Sequence, residues 1–303
     1  MVRTALLLGC LALGPAAWGQ DGTPAGGQQP PAEQKPAADE GGPEAIGRRI
    51  FEALNRHRGE SKIPAAQWSA RAYIALQDHL DLIVKRGYRG GPPRDKKFPK
   101  MGERTRERHG WSLSLLDNYS NGRKGGMDPD SIIKILQTNP DIRSLLRKDL
   151  NAGAAAATNV PGTDDYCIVI GLMRAPNKDV KDLPRIEAAE KEWPEADAKK
   201  RKSIVKGLAA MGDGDTLLAL TRALADPDAE VREAATKAVA KLGDCWPVPT
   251  LLARLEAETE QPVKDDIQKA LEAISGRSKK EYEGVAKWKV WWSVEQDIFV
   301  KRK

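Results

Sequence analysis

Few side chains in this chain are equipped for chemistry. Its 303 residues include three histidines and three cysteines, too few for a disulfide-dense scaffold or a zinc finger. His109 has the most promising neighbours, with Ser112, Ser114 and Ser120 close behind it. A serine hydrolase needs a base, an acid to orient it and an oxyanion hole. No G-x-S-x-G elbow occurs, so no catalytic residue is expected among these serines. His57 stands between Arg56 and Arg58 and reads as a helix-end residue. His79 falls on the apolar side of a helical pattern and reads as partly buried. Cys167 and Cys245 have two readings: a disulfide clamping two halves of the chain, or two buried free thiols.

Charge supplies the other chemical feature. Residues 85–108 carry ten basic side chains against three acidic ones, a local excess of +7, while the whole chain is only +6. Arg94, Lys96, Lys97 and Arg104 lie in that stretch. Such a patch attracts phosphates or acidic glycans through its long-range field; its plainer reading is a solvated loop. The overall excess is far below that of a histone-like protein; export, read below from the N-terminus, argues against nucleic acid as partner.

The elements that must position these groups follow from periodicity. Residues 1–19 read as a secretory signal peptide: Arg3, an apolar stretch from Thr4 to Gly14, and the cleavage pattern Ala17-Trp18-Gly19. Leu7-Leu8-Gly9-Cys10 also has lipobox character, which makes a lipid anchor on Cys10 the less favoured alternative. The chain is therefore expected to be exported, periplasmic or secreted. Residues 20–45 are rich in Gly, Pro and Gln, too polar to bury a core, and read as a disordered linker. No later run is long and apolar enough to span a membrane.

From 46 onward, Ile46, Ile50, Phe51 and Leu54 recur at helical spacing, as do Ala72, Ala75, Leu76, Leu80 and Ile83. Gly87 to Pro99 interrupts the pattern. Another helix is expected over Ser131–Leu136. Ala152–Thr158 and Tyr166–Leu172 read as strands joined by the turn Pro161–Asp165. Helices followed by strands suggest an α+β fold.

The order of signals over 46–175 resembles the CAP superfamily of secreted cysteine-rich, antigen 5 and pathogenesis-related proteins. Asn55-Arg56-His57-Arg58 resembles its N-x-x-R helix end, and Ile63-Pro64 to Trp68-Ser69 its L-x-P-L-x-W stretch. Glu103-Arg104, Gly110-Trp111, Asp117-Asn118 and Asn139-Pro140-Asp141-Ile142-Arg143 fall at its E-R, G-y, E-N and S-P-x-H-R positions. The resemblance implies an α/β/α sandwich with a ligand cleft. In that family the cleft often holds two histidines and two acids that bind zinc. Here Ile142 replaces one histidine, and Tyr88–Gly91 offers none for the other. No metal site and no cofactor are therefore expected. His109 becomes the residual cleft histidine, with Asp117 as its partner and Asn118 beside it.

Residues 185–293 contain an internal repeat. Ala210-Met211-Gly212-Asp213 returns as Lys241-Leu242-Gly243-Asp244, and Asp228-Ala229-Glu230-Val231-Arg232 as Glu260-Gln261-Pro262-Val263-Lys264. Each unit reads as helix, Asp/Pro turn, helix, Gly-Asp turn. The pattern resembles HEAT repeats, which implies an all-α solenoid that binds protein. Trp288-Lys289-Val290-Trp291-Trp292 is expected to cap its last unit. Residues 176–303 carry 24 basic and 24 acidic groups, so net charge gives no guide to the partner.

The expectation is an exported, non-enzymatic binding or scaffolding protein of the cell envelope. A CAP-like α/β/α domain holds a ligand, with the basic 85–108 stretch contacting any acidic polymer. The HEAT-like solenoid docks a protein. The alternative is an envelope hydrolase with His109 and Asp117 as acid and base.

Overall fold

The computed structural model describes residues 42–299 except 89–90, 94–96, 124–128, 130, 132, 135–143, 177–179 and 279, and except the side chains of Leu116, Asn118 and 121–123. The signal-peptide and linker readings through residue 41, the Cys10 anchor, Arg94, Lys96 and Ile142 lie outside the described residues. So does half of the helix expected over Ser131–Leu136; Ser131, Ile133 and Lys134 are helical.

Helix α1 spans Pro43–Glu60, which puts residues 43–45 in a helix rather than a linker. Proline opens it, where a missing N–H costs nothing. After the two-residue strand β1 (Gln67–Trp68) comes α2 (Ala70–Lys85), whose N-cap Ser69 accepts from the amide of Ala72. Helix α3 (Met101–His109) corrects the expected basic loop: the last third of that stretch is helical. It ends on Gly110, at φ 73°, the left-handed conformation that favours glycine at this position. Strand β2 is Leu116–Arg123, β3 is Ala152–Asn159 and β4 is Asp165–Met173.

The sheet order is β1-β3-β4-β2. β1 runs parallel to β3, and the other two pairings are antiparallel. Alternation along the strands gives the sheet two apolar faces. Ala155, Ala157, Ile168 and Ile170 pack against Ile50, Phe51 and Leu54 of α1. Ala154, Ala156 and Val169 pack with Tyr73, Leu76 and Leu80 of α2. The sheet thus lies between α1 and α2. Gly47 lets α1 approach closely, since a Cβ there would sit 2.1 Å from the carbonyl oxygen of Ala155.

The rest is helical: α4 (Leu183–Glu192), α5 (Ala198–Met211), α6 (Leu217–Ala223), α7 (Ala229–Leu242), α8 (Val248–Ala257), α9 (Gln261–Ser275) and α10 (Val285–Glu295). α4 lies against β1 and the short turn Gly214–Thr216. α5, α7 and α9 pack side by side, and each ends on a left-handed glycine: Gly212, Gly243 and Gly276. Arginines paired with buried carboxylates tie successive units. Arg201 grips Asp226 with two hydrogen bonds, and Arg232 grips Glu258 in the same way at 2.8 Å each. Trp288 and Trp291 are buried at the end, with Trp288 stacked on Tyr282.

One apolar core continues from the α2 face of the sheet through α4 to α10. The sheet-bearing half and the repeats therefore share an interior. Cys167 and Cys245 are both buried in it as free thiols.

Candidate functional site

The polar groups with the most chemistry lie in the seam between the two halves. α3 carries almost no apolar side chain inward; it buries Arg104, Thr105, Arg108 and His109 instead. Asp78 of α2 accepts a hydrogen bond from Arg104 Nη2 at 3.1 Å and forms ion pairs with Arg104 Nε at 2.6 Å and Arg108 Nε at 3.0 Å. Each arginine also reaches the far end of the chain. Arg104 donates to the carbonyl of Asp297 and Arg108 to that of Gln296.

His109 is 1% exposed. Its Nδ1 lies 2.9 Å from Asp244 Oδ1, in the turn between α7 and α8. The same oxygen accepts the amide of Trp246. Burial pulls the imidazole pKa down, but the Asp244 charge and hydrogen bond and the nearby Cys245 sulfur outweigh it and lift the value to about 10. Cys245 Sγ rests 3.8 Å from the Arg108 carbonyl oxygen. The His109 ring stacks on Trp111, centroids 4.9 Å apart. Beside this group a cavity of about 400 Å³ is lined by Asp78, Arg104, Arg108, His109, Cys245 and Trp292, among others.

A second cavity, of about 580 Å³, opens on the other side of α3 and is lined by His79, Glu103, Arg106, Asp117 and Tyr119. His79 is buried, and that burial, with Arg104 nearby, lowers its pKa to about 4. Burial and the Asp117 charge raise the Tyr119 phenol.

The structure therefore redistributes the residues singled out from sequence. His109 and Asp117 line different cavities; His109 meets Asp244 instead, and the acid–base pair of the hydrolase alternative is not assembled. The physical reason is the left-handed turn at Gly110. It ends α3 with His109 facing the repeats, while the chain continues into β2 beside β4. Arg104 is buried in an ion pair rather than offered to solvent, which corrects its reading as part of an open basic patch. Lys97 is exposed. Asn118 lies on β2 opposite Ile170.

Asp78, Asp244 and Cys245 were missed as partners of this group. The one available signal was the repeated Gly-Asp turn, which puts Asp213 and Asp244 at equivalent places. The neighbouring Asp215 accepts from Ser69 Oγ, Arg71 N and Arg71 Nε. Consecutive repeat turns thus grip α2 and α3.

The HEAT repeats family profile matches residues 184–272, which makes this part of the chain a HEAT-repeat region and points to a role in protein interaction. No curated protein matches the chain. No described helix is long and apolar enough to cross a membrane.

Proposed function

We propose that this chain is an exported, non-enzymatic binding or scaffolding protein of the cell envelope. Its first half is a divergent CAP-like ligand domain, and its HEAT repeats carry a protein partner. The observation that carries the interaction reading is the arrangement of the repeats. Their inter-helix turns are occupied by α2 and α3, while the outer layer α5–α7–α9 presents charged residues such as Lys206, Lys241 and Lys269 to solvent. Stacked helical repeats use such continuous surfaces for binding.

The CAP-like reading is supported by the meeting of its motif residues. Asn55 exchanges two hydrogen bonds with the backbone of Ala66. Arg58, fully buried, donates to the carbonyls of Pro64, Leu145 and Leu150. Glu103 and Asp117 share the second cavity, which would be the ligand cleft. An acidic glycan or phosphate-bearing polymer would meet Lys97, Lys100 and Arg106, which are among the exposed basic residues described in the 85–108 stretch.

Two experiments test this. N-terminal sequencing of the expressed chain should find Gln20 first, in the periplasm or medium; an intact Met1 in the cytosol would end the export reading. Cross-linking of the full chain in envelope extract should join one reproducible protein to lysines of the outer layer. The double substitution Lys206→Glu/Lys241→Glu should abolish that product. An unchanged product would remove the outer layer as the docking face.

A further inference from the structure

One histidine, one aspartate and one cysteine meet in the seam, although the chain has only three histidines and three cysteines. One ligand atom from each of His109, Asp244 and Cys245 lies within 4.8 Å of the other two. All three side chains are at least 98% buried. Two atoms of the group make no hydrogen bond inside the protein, His109 Nε2 and Asp244 Oδ2; the nearest carboxylate oxygen to Nε2, Asp78 Oδ2, is 4.0 Å away. A buried polar atom without a partner costs free energy, so these atoms ask for a ligand. The adjacent cavity is lined by both His109 and Cys245 and gives a small ion a path in.

We propose that His109, Asp244 and Cys245 form a zinc site that links α3 to the second repeat turn, with water from the cavity as the fourth ligand. The donor set of imidazole, carboxylate and thiolate is one that zinc takes readily. Tetrahedral zinc with bonds of about 2.0–2.3 Å holds its ligand atoms roughly 3.3–3.8 Å apart, so the widest separation need close by only about 1 Å. Cys245 would bind as the thiolate, its proton leaving to water as the ion enters. The two guanidiniums nearby do not oppose the ion at full strength, because Asp78 lies against both. This site is separate from the CAP-like cleft, where the expected histidines are missing, and it does not depend on the export reading.

The test is metal uptake by the full chain carrying Cys10→Ser, stripped with chelator and titrated with Co²⁺ and then Zn²⁺. One Co²⁺ per chain should bind with a thiolate-to-cobalt charge-transfer band in the near ultraviolet, and Zn²⁺ should displace it. Cys245→Ser and His109→Gln should each lose the band, and Cys167→Ser should keep it. Zn²⁺ should raise Tm in the parent and not in Cys245→Ser. A parent chain that takes up no cobalt, or a band that survives Cys245→Ser, overturns the proposal. The parent titration decides even if a variant folds poorly.

Discussion

Asp215 belongs to the repeats, yet it closes the first turn of a helix in the other half: its Oδ1 lies 2.8 Å from Ser69 Oγ, the N-cap hydroxyl of α2. The same oxygen accepts the amide of Arg71, and Oδ2 takes the Arg71 guanidinium at 2.8 Å. Ser69 in turn accepts from Ala72. A single buried carboxylate thus satisfies a helix start and a cation at once. Asp215→Ala should cost about 3 kcal/mol of stability, because Ser69 Oγ and the Arg71 amide lose a buried acceptor while the Arg71 guanidinium loses the nearer of two carboxylates. Urea unfolding measures this; a loss below about 1 kcal/mol would mean the contact is incidental.

Gly47 sets the distance between α1 and β3. Gly47→Ala would push a methyl group into the Ala155 backbone, and backbone cannot swing aside as a side chain can. The expected loss is about 1–3 kcal/mol, seen as a lower Tm. Gly59→Ala, on the same helix with open space around it, should show no comparable loss and serves as the control.

His79 should make stability depend on pH. Its pKa falls from the ordinary 6.5 to about 4 on folding, so the unfolded chain binds the proton more readily. The folded state keeps its full advantage above pH 6.5 and loses it as pH falls toward 4, by on the order of 3 kcal/mol. His79→Gln should flatten that part of the stability–pH curve. Parallel curves for parent and variant would rule out His79 as the source.

Glu258 should act in a lower window. It is fully buried, held by Arg232 and Arg254 and by the amides of Thr259 and Glu260. Burial alone would raise its pKa, but these bonds pull it from an ordinary 4.5 to about 2. Its contribution is complete above pH 4.5 and fades as pH falls toward 2. Glu258→Gln should cost about 3 kcal/mol at pH 7, and the difference from the parent should shrink in acid. A difference that stayed constant down to pH 2 would contradict the assignment.

The legible parts of this fold are those built on apolar periodicity. β3 and β4 stood out as apolar runs around the Pro161–Asp165 turn, and α7 as the Val231-Ala235-Val239 stripe between Asp228 and Gly243. β2 was missed: Leu-Asp-Asn-Tyr-Ser-Asn-Gly-Arg is polar, as an edge strand tolerates. α3 was missed because what it buries is charged, and hydropathy cannot register a helix whose inward face is arginine and histidine. Their partners stand far away in sequence; His109 and Asp244 are 135 positions apart. Local patterns carry no information about such a pair.

The core shared by the sheet and the repeats has a consequence for how the molecule comes apart. A free-standing helical array frays from its ends, because each unit touches only its neighbours. Here α2 and α3 hold the turns of two successive units, and the C-terminal backbone at Gln296 and Asp297 is fastened to Arg108 and Arg104. Opening the last repeat means breaking these buried bonds to α3. The repeats are thereby expected to unfold as part of one cooperative unit rather than as semi-independent segments, which predicts a single heat-absorption peak and a common, global exchange rate for the amide protons of α7 and α2.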